Sequence, residues 1–219
     1  MSSSNDVVIY LYNRMTALDA IGPYEVFRCV PGVQVRFVAK QPGWVRTDSG
    51  LEMLRAEYGI ADIDGAGILV VPGGDAFAQT NDQDVLQWIR RLHTTTKWTT
   101  AVCVGSLILG AAGLLNGLQA TTHWNALEAL QLFGARPISQ RFVQQGKIVT
   151  AAGVSAGIDM ALSLVALEWG QEMAQKIQLI LEYDPQPPFD TGSPRKAPPS
   201  IIKSAQQFLI ELYSPTNSE

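Results

Sequence analysis

Residues 98–112 hold the feature that most limits the fold. An apolar run, Trp98-Thr99-Thr100-Ala101-Val102, stops at Cys103 and gives way to the small-residue stretch Gly105-Ser106-Leu107-Ile108-Leu109-Gly110-Ala111-Ala112. The core of it, Ala101-Val102-Cys103-Val104-Gly105, has the small-x-nucleophile-x-small spacing of a nucleophile elbow, with sulfur in place of a serine hydroxyl. A sharp strand-to-helix turn lifts the nucleophile out of the sheet and leaves no room for side chains two residues to either side. A thiol at a helix amino terminus also meets unsatisfied N–H groups and the positive end of the helix dipole, both of which favour thiolate. Cys103 is therefore expected to be a reactive thiol. The alternative is a buried cysteine serving as a small hydrophobe.

The rest of the chain supplies the α/β setting that an elbow needs. Val7–Tyr12 and Val33–Ala39 are strand-like, with a helical pattern over Pro23–Val30 between them. Ile68–Val71 is a fully apolar strand ended by Pro72-Gly73-Gly74, and helical spacing follows over Asp84–Leu92. Beyond the elbow helix come a turn at Asn116-Gly117, a short helix over Trp124–Leu132 and a hairpin pairing Phe142–Gln144 with Lys147–Thr150. A long apolar helix is predicted over Ser155–Trp169. Six prolines between Asp184 and Pro199 exclude regular structure there, and Ser200–Tyr213 reads as a terminal helix. Alternation of this kind predicts a mostly parallel sheet with helices on both faces. One domain is expected over residues 1–183, with 184–219 an appended proline-rich segment and helix packed on it or on a partner.

Composition narrows the classes of function. The 219 residues are 47% hydrophobic, ample for a core, and the net charge of −4 with sixteen scattered Lys and Arg gives no basic footprint for nucleic acid. Two cysteines are no disulfide framework. The start, Met1-Ser2-Ser3-Ser4-Asn5-Asp6, lacks the regions of a signal peptide, and no apolar run reaches membrane-spanning length. A cytoplasmic protein without membrane or nucleic-acid partners is expected.

In open parallel sheets ligands bind beyond the carboxyl ends of strands. Four such segments would open on one edge: Thr16–Pro23, Pro72–Asp75, Cys103-Val104 and Ala151–Gly153. Asp19 is the only carboxylate in the first, among Leu18, Ala20 and Ile21, where an acid keeps a raised pKa and exchanges protons. The other reading is a helix cap, with Pro23 in the first turn. Gly73 and Gly74 would let backbone N–H groups join the Val104 amide as an oxyanion hole for substrate, or would mark a tight turn alone. His123 invites a Cys-His pairing but is better read as structural at the start of a helix. No spacing fits a metal and no glycine-rich motif fits a phosphate, so no metal or cofactor is expected.

The run from Ala101 through Leu115 with Ala120-Thr121-Thr122-His123-Trp124 resembles the ThiJ/PfpI superfamily, and within it the isonitrile (isocyanide) hydratases. The likeness extends to Leu18–Phe27, to Val71-Pro72-Gly73-Gly74 and to Ala152–Asp159, covering about residues 6 to 183. The resemblance implies a flavodoxin-like three-layer sandwich, a homodimer, a nucleophile at Cys103 and an acidic partner at Asp19. One departure stands out: the hydratases carry threonine directly after the cysteine, and here Val104 holds that position. Peptidase-like members carry histidine there, so valine also counts against a Cys-His hydrolase. Related transcription regulators share the stretch Gly153–Asp159 but append a helix-turn-helix pair, for which the residues after Pro199 are too few.

What the resemblance implies is cysteine-dependent hydration of a small-molecule isonitrile to an N-substituted formamide through a thioimidate. A redox or stress sensor that oxidises Cys103 is the alternative from another class, and glyoxalase-like action on small dicarbonyls a third.

Overall fold

The computed structural model describes residues 5–213; the Met1-Ser2-Ser3-Ser4 start read above for a leader lies outside them. The described chain forms two compact units divided between Glu182 and Tyr183. In the first unit the elements run β1 (Asp6–Tyr10), α1 (Ala17–Phe27), β2 (Gln34–Ala39), β3 (Gly43–Arg46), β4 (Glu52–Ala56), β5 (Tyr58–Gly59), β6 (Ile68–Val71), α2 (Phe77–Asn81), α3 (Gln83–Thr95), β7 (Trp98–Val102) and α4 (Gly105–Ala111). They continue with β8 (Gln119–Ala120), a 3₁₀ helix at Trp124–Phe133, β9 (Arg136–Pro137), β10 (Phe142–Gln145), β11 (Ile148–Ala151), α5 (Ala156–Trp169) and α6 (Gln171–Ile180). The second unit has a segment without helix or strand followed by α7 (Pro199–Leu212), which takes proline at its first turn, where no N–H is missed. Among the described residues no helix is long and apolar enough to cross a membrane.

Seven strands form the central sheet in the order β10-β11-β7-β6-β1-β2-β5, parallel throughout except for the β10–β11 hairpin. With helices flanking it, this is the flavodoxin-like α/β sandwich expected. β1 and β6 are buried at every residue, as strands covered on both faces must be. The register sets Val71 beside Ala101 and Ala151 beside Val102. Strands β6, β7 and β11 therefore end at one level, and the segments after them meet at one edge.

Three differences from the sequence reading matter. Helix α1 starts at Ala17, not Pro23, and runs straight through Pro23. An interior proline forfeits a helical hydrogen bond, but here packing compensates. A side-chain carbon at Gly22 would lie 3.1 Å from Ile158, and one at Gly157 3.2 Å from Pro23, so α1 and α5 press together at these small residues. The helix expected at 124–132 is 3₁₀ and ends on Gly134 at φ 72°. The antiparallel ribbon β3–β4, whose register slips between Val45 and Arg46, and helix α6 were not read from the sequence.

Candidate active site

Cys103 sits at φ 56°, the left-handed region that non-glycine side chains disfavour by roughly 1–2 kcal/mol. Close packing enforces this. A Cβ on Gly105 would fall 2.2 Å from the Val71 carbonyl oxygen and 2.6 Å from that of Pro72, so the first turn of α4 lies against the end of β6 as only glycine permits. The Cys103 amide donates to the carbonyls of Ala151 (3.1 Å) and Ala152 (3.0 Å). Its own carbonyl accepts from the hydroxyls of Thr122 (2.8 Å) and Ser106 (3.1 Å). Strain at one residue is thus held by contacts on both sides, as at a functional turn.

Asp19 stands in the first turn of α1, buried at 0% exposure. Its Oδ2 accepts from the Gly73 amide at 2.8 Å, while Oδ1, also buried, has no hydrogen-bond partner among the described residues. The cap reading of Asp19 therefore fails. Thr16 holds the cap position, and even its hydroxyl turns away from the helix to donate to Asp48 Oδ2 at 2.6 Å. A Cβ on Gly73 would lie 2.7 Å from the Val104 nitrogen, 2.8 Å from Cys103 Cβ and 2.9 Å from Asp19 Oδ2, so this glycine is the point at which thiol and carboxyl close on each other.

Electrostatics follow from that burial. Desolvation pushes Asp19 up to about 7, against the pull of the Gly73 amide; the neighbouring Asp48 charge pushes the same way and contact with the Cys103 thiol opposes it. Protonation belongs on Oδ1, since Oδ2 already accepts and a bare buried oxygen is costly. Cys103, 6% exposed, is also raised, first by desolvation and then by the Asp19 charge. Backbone amides of Val104 and Val154 donate to the sulfur and pull the other way. The thiolate-favouring helix terminus expected from sequence is thus outweighed: α4 has seven residues, and a terminal dipole contributes only about 0.3–1 kcal/mol.

The expected residues gather here with two adjustments. The Gly73 amide faces Asp19, and Gly74, at φ 117°, packs against the loop after β1, where a Cβ would lie 2.5 Å from the Arg14 oxygen. Val104 is half-buried and presents its amide to sulfur. His123 is nearer than its position suggested: a Cβ on Gly153 would sit 2.7 Å from its ring, one residue from Val154. Its Nδ1 accepts from the Asn125 amide at 3.4 Å, and burial lowers its pKa, so it stays neutral. Val154, at φ 35°, and Asp48 were not read from the sequence. The strand-end Ala151–Gly153 announced the first; nothing local announced the second.

The sequence model for the DJ-1/PfpI family matches residues 5–167. The chain belongs to the DJ-1/PfpI family. Over 198 residues it is 40% identical to isonitrile hydratase from Pseudomonas putida, spanning 90% of this chain and 86% of that one. The crystal structure of a ThiJ/PfpI family protein from Pseudomonas syringae superposes with a TM-score of 0.89 at 36% identity, covering 99% of this chain and 90% of that chain. A transcriptional regulator of the helix-turn-helix type from Pseudomonas aeruginosa, CdhR, is 34% identical over 95 residues, 42% of this chain but 28% of the regulator. Within this DJ-1/PfpI chain, then, likeness to isonitrile hydratase runs over 90% of the length and likeness to CdhR over 42%.

Proposed function

We propose that this chain hydrates isonitriles to N-substituted formamides, with Cys103 as nucleophile and Asp19 as acid. The observation that carries the reading is a buried carboxyl closing on a buried elbow cysteine, in a chain 40% identical over 90% of its length to an isonitrile hydratase. The terminal isonitrile carbon is electrophilic towards soft sulfur. Cys103 sulfur bonds to that carbon while Asp19 delivers its proton to the same carbon and takes up the proton that the thiol releases, giving a thioimidate, R–N=CH–S–Cys103, beside a carboxyl that is protonated again. Water adds across the C=N bond, leaving a hydroxyl on carbon and a hydrogen on nitrogen. Collapse forms the formamide C=O, breaks the C–S bond and returns a proton to sulfur, the water's second hydrogen completing the balance.

A carboxyl that titrates near neutrality is suited to give and regain that proton. Amides of Val104 and Val154 stabilise sulfur as it loses its proton. A sensor that oxidises Cys103 needs charge on sulfur as the nucleophile does, and burial and Asp19 oppose it in both, so turnover and not thiolate content separates the two readings. Incubation with simple alkyl and aryl isocyanides, following formamide by chromatography, tests the proposal. Formamide should accumulate with the parent and not with Cys103→Ala; equal background in both rejects the hydratase.

A further inference from the structure

The ribbon β3–β4 sends its turn, residues 47–51, onto the loop that leads into α1. Arg14 N–H donates to the Arg46 carbonyl at 2.7 Å, and the Asp48 amide to the Met15 carbonyl at 2.9 Å. Thr16, the residue before α1, donates its hydroxyl to Asp48 Oδ2 at 2.6 Å and accepts at its carbonyl from the Asp19 amide at 3.1 Å. An N-cap hydroxyl ordinarily accepts from its own helix. This one instead fixes a carboxylate of a separate ribbon one helical turn from the acid.

We propose that Asp48 is a positioning residue for the reaction: its negative charge, tethered by Thr16, reinforces burial in favouring the acid form of Asp19 that delivers the proton. The inference rests on Asp19 acting as the acid in isonitrile hydration. Its physics is like-charge repulsion through a poorly hydrated interior, where one carboxylate disfavours ionisation of the next. The ionisable groups against Asp19 are few: Cys103 from the elbow, Tyr12 after β1 and Asp48 from the ribbon. Asp75, beyond Tyr12, is ion-paired with Arg14 at 2.9 Å. From α5 the neighbour at Gly22 is the apolar Ile158, and the strand-end after β6 brings the Gly73 amide.

Asp48→Asn removes the charge and keeps an oxygen that accepts from Thr16, so charge and tether separate. The readout is the pH dependence of Cys103 alkylation by iodoacetamide, corrected for Cys29 with Cys103→Ala. For a coupled pair the rate climbs with pH and levels where the pair loses its first proton. In Asp48→Asn that levelling should move to lower pH by about half a unit or more, and in Asp48→Glu it should stay with the parent. Asp48→Ala, measured beside them, should move as Asn does and serves if Asn fails to fold. A parent-like profile in the neutral variants, or a shift in Asp48→Glu equal to theirs, overturns the inference. Alkylation needs no isonitrile, so a shifted profile without formamide production retires the hydratase alone, and formamide production with unshifted profiles retires the role of Asp48 alone.

Discussion

Cys103 and Asp19 share one buried site but are held in different ways. Backbone geometry fixes the cysteine: φ 56°, a glycine contact that admits no methyl at Gly105, two carbonyls on its amide and two hydroxyls on its carbonyl. The aspartate rides on a helix, tied by one amide at Oδ2 and in contact with the Cys103 thiol, with no hydrogen-bond partner at Oδ1 among the described residues. One region is rigid and prepared for charge, and the other is electrostatically frustrated and holds a proton. Burial and any charge on Asp19 both oppose charge on sulfur, so in the proposed reaction the thiol proton leaves only as sulfur bonds to substrate and Asp19 gives up its own.

The sharpest break of this comparison is steric. Gly105→Ala should destabilise the fold by about 3 kcal/mol or more, since the new methyl meets backbone oxygen at 2.2 Å and neither strand β6 nor the turn can yield cheaply. Urea denaturation followed by circular dichroism measures it. A midpoint within error of the parent would show that the elbow is not held by this contact.

Changing the other region should spare the fold and remove the chemistry. Asp19→Asn should lower isocyanide turnover by roughly 10²–10⁴-fold, the usual worth of a placed acid. It should also flatten a pH dependence of stability. The Asp19 carboxyl is raised from 3.8 to about 7 on folding, so between those values the folded state keeps a proton that the unfolded chain has released. That stabilisation is complete below about pH 4 and is lost as pH climbs through 7, with a slope of up to about 1.4 kcal/mol per unit. Burial lowers His93 and His123, which adds stability to both proteins as pH rises, so the Asp19 contribution is read as a difference: from pH 4.5 through 6 to 7.5 the unfolding free energy of the parent should fall relative to that of Asp19→Asn. A difference that does not change with pH would mean that Asp19 is ionised when folded.

The two regions were also unequally legible. The elbow is written in five consecutive residues, each selected by local sterics, and the strands beside it in unbroken apolar runs. Asp19 was visible as a carboxylate out of place among apolar neighbours, yet its role stayed open because its partners are Gly73 and Cys103, far along the chain. Propensity placed the start of α1 at Pro23, and packing of Gly22 on Ile158 placed it at Ala17, which moved Asp19 from cap to first turn. Asp48 has no local mark at all, since its turn gains meaning from Met15 and Thr16. The β3–β4 ribbon, with register slipping between Val45 and Arg46, breaks the alternation that betrays a strand.

The smallest expected effect lies where the rigid region meets substrate. Val104 gives the site its amide, which any residue but proline supplies, so its side chain is free to differ from the threonine that the resemblance to hydratases leads one to expect. Val104→Thr is nearly isosteric and leaves the elbow backbone untouched. The added hydroxyl on a half-buried side chain costs about 1 kcal/mol if it finds no partner, and gains a similar amount if it hydrogen-bonds a polar intermediate. Only the transition state and the thioimidate offer such a partner, so turnover should rise by about three- to tenfold while the unfolding midpoint stays level or falls slightly. Steady-state kinetics with one aryl isocyanide separates the terms: a gain in kcat at unchanged KM places the hydroxyl on the reacting atoms. A lower KM alone places it on the bound substrate, and an unchanged or reduced kcat/KM shows that water or a backbone amide already fills the role and that the site works with valine as it stands.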